Sequence, residues 1–95
     1  MRMGEIIEAR VIVSGRVQGV WFRGFTRRVA EDAGVRGWVR NLPGRRVEAL
    51  LQGERAAVEK VVGFLREGHP GASVADIEVS WGTPSEVFRG FDIRY

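Results

Sequence analysis

The chain has no cysteine and a single histidine, His69, among 95 residues. Disulfides and thiolate metal sites are thereby excluded, and a zinc site of the usual type cannot be assembled from one histidine alone. His69 stands in a Gly-His-Pro-Gly stretch, which reads as a solvated turn. No apolar run is long enough for a membrane span, and the first residues, Met1-Arg2-Met3-Gly4-Glu5, carry no signal-peptide core. Lysine is nearly absent as well. Lys60 stands beside fourteen arginines, and the net charge is +3. This balance favours anionic partners, either small phosphates or nucleic acid. With 44% apolar and 28% charged residues, the composition is that of a globular protein. The expectation is one cytoplasmic domain over residues 1–95 with a single two-layer core.

The pattern of apolar residues supplies the elements. Ile7, Ala9, Val11 and Val13 fall on one face of a strand over 5–13. A helix over 22–33 carries an apolar stripe of Phe22, Phe25, Val29, Ala30 and Ala33. Strands over 35–41 and 46–52 flank the turn Leu42-Pro43-Gly44-Arg45 and form a hairpin. A second helix over 54–67 buries Val58, Val61, Val62 and Leu65; Gly63 inside it suggests close packing. In a fourth strand Ala75, Ile77, Val79 and Trp81 share a face, and Phe91, Ile93 and Tyr95 mark a short last strand. The order predicts an α+β, ferredoxin-like split βαβ sandwich: βαββαβ plus a short C-terminal strand, with two helices on one face of an antiparallel sheet. That fold hosts many functions.

The most informative segment joins the first strand to the first helix: Gly15-Arg16-Val17-Gln18-Gly19-Val20-Trp21-Phe22-Arg23. A glycine-punctuated loop before a helix aims several backbone N–H groups at one point and suits an anion. Arg23, just past it, adds a forked guanidinium that matches phosphate. As an ordinary first-turn residue Arg23 would be badly placed, since a helix N-terminus disfavours cations. The loop lacks the Gly-Lys-Ser/Thr ending of a nucleotide P-loop and the Gly-x-Gly-x-x-Gly of a dinucleotide fold. Spacing alone leaves a plain strand-to-helix connection open beside an anion site. Gln18 reads as a loop-supporting or solvated residue, and Trp21 and Trp38 as packing residues.

With a second segment, this loop carries a resemblance. Residues 15–23 resemble the first signature of the acylphosphatases. Gly37-Trp38-Val39-Arg40-Asn41, followed by Val47 and Gly53, resembles the second, and Phe91-Asp92-Ile93-Arg94-Tyr95 is similar to the family's carboxyl end. The resemblance implies metal-independent and cofactor-free hydrolysis of a small acyl phosphate to a carboxylate and inorganic phosphate. It assigns phosphoryl binding to Arg23 and orientation of the attacking water to Asn41. Backbone N–H groups would come from Gly15, Arg16, Val17, Gln18, Gly19 and Val20. A monomer without nucleic-acid or membrane partners is expected. One departure stands out. The family pattern has glycine where this chain has Arg45, and Gly44 comes one position early. A locally different turn follows, with Arg45 or Arg46 within reach of an anion near Asn41.

Two alternatives share the fold. Arg23-Gly24-Phe25 and Arg89-Gly90-Phe91 echo the start of an RNA-binding signature, but such a domain displays its aromatics from central strands. Phe25 belongs to the helix stripe instead. A non-catalytic anion sensor is the other, and it has no need of a water-orienting Asn41.

Overall fold

A computed structural model describes residues 5–19 and 21–95. The elements are β1 (Ile6–Arg16), α1 (Phe22–Asp32), β2 (Arg36–Leu42), β3 (Arg46–Glu54), α2 (Arg55–Glu67), β4 (Ser73–Gly82) and β5 (Phe91–Arg94). The strands form one sheet in the order β4-β1-β3-β2-β5. Alternation decides which face of each strand is buried. Ala9, Val11 and Val13 of β1 and Val47, Ala49 and Leu51 of β3 turn toward the helices. They meet Phe22 and Ala30 of α1 and Val58, Val61 and Leu65 of α2, all buried.

The sheet is mixed rather than wholly antiparallel. β1, β2, β3 and β4 pair antiparallel, but β5 runs parallel to β2, with Gly37 opposite Phe91 and Val39 opposite Ile93. Connectivity explains the difference. β4 and β5 lie at opposite edges of the sheet, so residues 83–90 must cross from one edge to the other. After crossing, the chain re-enters in the direction of β2. Periodicity reports which face is apolar but not which way a strand runs. Gln52, buried on β3, holds the crossing segment in place. Its Nε2 donates to the Glu86 carbonyl and to Glu8 (2.9 Å), and its Oε1 accepts from the Phe88 N–H (3.1 Å).

The face of the sheet away from the helices carries paired charges. Glu48 is fully buried there, with Arg10 on one side and Arg40 on the other (Nε to Oε1 2.7 Å). A buried carboxylate is tolerable only when so paired. Trp38 lies on the same face between the guanidinium groups of Arg40 and Arg94, 5.1 and 4.7 Å from its ring centre.

Two smaller expectations change. Val74, not Ala75, packs on the core, because a bulge shifts the β1–β4 register between Ser14 and Gly15 and turns Ala75 outward. His69 is half-buried rather than solvated. Its ring packs against Phe25 and Phe22, 5.4 and 6.0 Å between ring centres, and its Nδ1 accepts the Gly71 N–H.

Gly63 is exposed, and a Cβ placed on it would meet nothing within 4 Å. Its position in α2 therefore has no packing reason. Gly63→Ala should stabilise the fold by about 0.5–1 kcal/mol through helix propensity and a less flexible unfolded chain. A higher urea midpoint at unchanged slope would record this gain; an unchanged midpoint would contradict it.

Candidate active site

The site lies where β1, β2 and β5 end and α1 begins. β1 runs on through Arg16, and its last residues are shaped by the bulge. A Cβ on Gly15 would overlap the Ser73 carbonyl oxygen and stand 2.7 Å from the Ala75 nitrogen, and the backbone there has φ 130°. Only glycine lets the two strands approach so closely before the loop departs. The Gly15 N–H donates to the Arg45 carbonyl (3.3 Å), tying the loop to the β2–β3 turn. Gln18 makes the second tie. Its Nε2 donates to the carbonyls of Leu42 (2.6 Å) and Arg46 (2.7 Å), so the side chain serves as a strut between loop and hairpin. Val17 is buried, and Gly19 is exposed with φ 71°. Val20, expected in the same set, lies outside the described residues.

α1 begins without a cap. Trp21 stands at the N-cap in a left-handed conformation (φ 64°, ψ 24°), no side chain caps the helix, and its first turn holds no acidic residue. The opening N–H groups of a helix lack intrahelical acceptors. Here they carry partial positive charge beside Arg23, and among the described residues no side chain caps them. A bulky residue in the left-handed region costs on the order of 1–2 kcal/mol. Trp21 is 63% exposed rather than packed in the core, and its indole folds over Gly24, where a Cβ would collide with the ring. Neither feature was legible from residue type. Residue type marks Trp21 only as a packing residue.

Arg23 and Asn41 meet in one cavity of about 180 Å³, whose walls also include Val17, Gly19, Trp21, Ile93 and Tyr95. Arg23 comes from the first turn of α1. Asn41 comes from the end of β2, opposite Val47 on β3. The last strand contributes a feature that alternation did not announce. The Arg94 carbonyl accepts from Arg23 Nη1 (3.2 Å), and the Tyr95 ring centre lies 4.6 Å from the Arg23 guanidinium carbon. These contacts fix one side of the guanidinium while the Arg23 side chain still lines the cavity. Among the described residues no carboxylate pairs with it. Tyr95→Ala should accordingly cost about two- to fivefold in kcat/KM, the worth of an exposed cation–π contact. The check is a side-by-side rate measurement at equal protein concentration, and unchanged kinetics would remove Tyr95 from the positioning of Arg23.

The turn after Asn41 places two successive residues in the left-handed region. Gly44 has φ 81°, which glycine adopts freely, and Arg45 follows at φ 57°. Arg46 is tied down by a bond from its Nε to the Pro43 carbonyl (3.0 Å). Arg45, with Gly15, Arg16, Val17 and Gln18, borders a separate groove of about 620 Å³.

The model of the acylphosphatase family matches residues 9–93. The acylphosphatase of Rubrobacter xylanophilus is 54% identical over 85 residues, which is 90% of this chain and 77% of that one. That of Anaeromyxobacter dehalogenans is 47% identical over 93 residues, covering 98% of this chain and all of the relative. The crystal structure of acylphosphatase from Bacillus subtilis superposes with a TM-score of 0.90 at 38% identity, covering 94% of this chain and 99% of that one. With the family model spanning nearly the whole sequence and relatives of about 50% identity matched over most of their length, the chain belongs to the acylphosphatase family, hydrolases of acyl phosphates.

Proposed function

We propose that the chain hydrolyses acyl phosphates by in-line attack of water on a phosphoryl group held by Arg23 and the backbone N–H groups of the loop after Gly15. The observation that carries this reading is the convergence of Arg23, Asn41 and the glycine loop on one small cavity. An acyl phosphate is a mixed anhydride. The water oxygen bonds to phosphorus, and the bond from phosphorus to the acyl oxygen breaks. That oxygen leaves as a carboxylate, whose conjugate acid has a pKa of about 4, so it departs without a proton at neutral pH. The water's protons pass to the phosphoryl oxygens and to solvent, and the products are a carboxylate and inorganic phosphate. No general acid is needed for such a leaving group, and charge on the phosphoryl oxygens is met by Arg23 and by the uncapped start of α1. Asn41 is no base at neutral pH. Its side-chain oxygen accepts a hydrogen bond from the water and fixes its line of approach.

The same reading covers the setting: one domain over residues 1–95, acting as a cytoplasmic monomer on a small molecule, without cofactor, membrane or nucleic acid. The absence of cysteine suits a reducing compartment. No helix among the described residues is long and apolar enough to cross a membrane. A small ligand is favoured over RNA because Phe91 is buried and Phe25 packs on the core, leaving neither on the sheet surface. On that surface, Arg10 and Arg40 are committed to Glu48.

The test is release of benzoate from benzoyl phosphate with a chelator present. Turnover well above the spontaneous rate supports the reading. A folded protein without such turnover, or one whose turnover the chelator abolishes, contradicts it.

A further inference from the structure

The reaction cavity and the groove beside it differ in size and in lining. A cavity of about 180 Å³ holds a phosphoryl group and a few waters, each water taking about 30 Å³ of liquid volume. The acyl part of any sizeable substrate must therefore extend beyond it. The adjoining groove, about 620 Å³, falls in the size range of ligand clefts, about 300–1,000 Å³. Val17 belongs to the walls of both, so they share a border. Among the described residues the groove is lined by Gly15, Arg16, Val17, Gln18 and Arg45: two cations and no acid.

The two arginines are uncommitted. Among the described residues neither Arg16 nor Arg45 bonds to a protein acceptor, whereas neighbouring Arg46 is fixed to Pro43 and Gln18 is used up as a strut. Arg45 also occupies a backbone conformation that glycine would adopt without strain. A long cationic side chain stands there at a cost in stability, which is a pattern of sites selected for function.

From these observations we infer that the groove is a second anion subsite, with Arg45 as a specificity-determining residue. It selects acyl phosphates whose acyl part carries its own anionic group, a carboxylate or a second phosphate. The inference rests on the proposed reaction and adds to it the substrate class. The phosphoryl end enters the small cavity, and the remote anion lies between Arg16 and Arg45.

The test compares isosteric substrates that differ only in remote charge. These are 4-carboxybenzoyl phosphate and 4-carbamoylbenzoyl phosphate, with the corresponding 3-substituted pair, each rate divided by its spontaneous rate. The expected preference of the wild type for the carboxylate is about tenfold in kcat/KM for at least one pair, the worth of one charge-assisted hydrogen bond in a solvated groove. In Arg45→Ala the ratio should fall to near one while the carbamoyl substrate is turned over within about twofold of wild type. Arg45→Lys should restore most of the preference by returning the charge. A wild-type ratio near one for both pairs, or a ratio unchanged in Arg45→Ala, overturns the inference. So does titration with inorganic phosphate that shifts the amide signals of Gly15 to Gln18 through Arg45 while substrate preference is absent, because the groove would then hold free anions instead. Failure of the wild type to hydrolyse even the carbamoyl compounds would count against the parent reaction, a different result from turnover without preference.

Discussion

Arg23→Ala is expected to lower kcat/KM for benzoyl phosphate by at least about 10²–10³-fold, the usual loss when a preorganised donor to a developing anion is removed. The site gives three reasons for an effect of this size. Arg23 lines the same cavity as Asn41. Its guanidinium is held on one side by the Arg94 carbonyl and the Tyr95 ring, so it is oriented before substrate arrives. Among the described residues no carboxylate competes for it. Phosphate inhibition should weaken together with turnover, because in the proposed mechanism the same guanidinium binds product. Arg23→Lys should recover only part of the loss, since an ammonium keeps the charge but not the planar fork. Folding stability should change little, because losing the exposed contacts to the Arg94 carbonyl and the Tyr95 ring is offset at the helix start. Removing a cation from the first turn of a helix relieves an unfavourable interaction of about 0.3–1 kcal/mol. Measured kcat/KM, phosphate inhibition and a urea melt separate these effects. Retained turnover together with retained phosphate affinity would exclude Arg23 from the mechanism.

Much of this site is written in the sequence because its chemistry depends on residue identity. A glycine loop ahead of a helix and an arginine in the first turn each have a physical reading without coordinates. The contributions of Gln18, Arg94 and Tyr95 do not. Gln18 acts through two backbone carbonyls more than twenty residues away, and sequence only narrowed it to support or solvent. The Arg94 contact uses a carbonyl, which every residue has, so no residue type could announce it. The left-handed Trp21 is similarly silent, because an exposed indole and a core indole are the same letter.

The fold divides along the same line. Strand and helix positions follow from periodicity, and β1, β3, α1 and α2 bury the side chains their patterns select. Sheet direction is different in kind. Whether β5 runs with or against β2 depends on where residues 83–90 travel, and that path is fixed by Gln52, a polar residue buried on the face opposite the helices. The bulge at Gly15 likewise displaced Ala75 by one position, since a single extra residue exchanges the two faces of a strand. The crossing has a consequence for function. It carries the end of the chain across the sheet to β2, which is what brings Arg94 and Tyr95 beside Arg23.

Asn41→Ala should separate turnover from binding in a way that Arg23→Ala does not. The side chain is exposed at the end of β2, and among the described residues it bonds to no protein group. Truncating it therefore removes nothing from the fold, and stability should stay within about 0.5 kcal/mol. Its loss frees the attacking water, and misdirection of a reacting group by about 1 Å is enough to cost on the order of 10²-fold. The expected result is a fall of that size in kcat with the phosphate inhibition constant nearly unchanged, because the proposed mechanism gives the water to Asn41 and the phosphoryl group to Arg23. Asn41→Asp sharpens the comparison. It keeps the shape and an acceptor for water but places a negative charge in the cavity that must hold a phosphoryl dianion. That variant should lose phosphate affinity as well as turnover, and the affinity loss should shrink as salt screens the repulsion. If Asn41→Ala instead shifted the melting temperature and left kcat intact, Asn41 would be a strand-ending residue alone. The water would then need another guide among the groups that line the cavity.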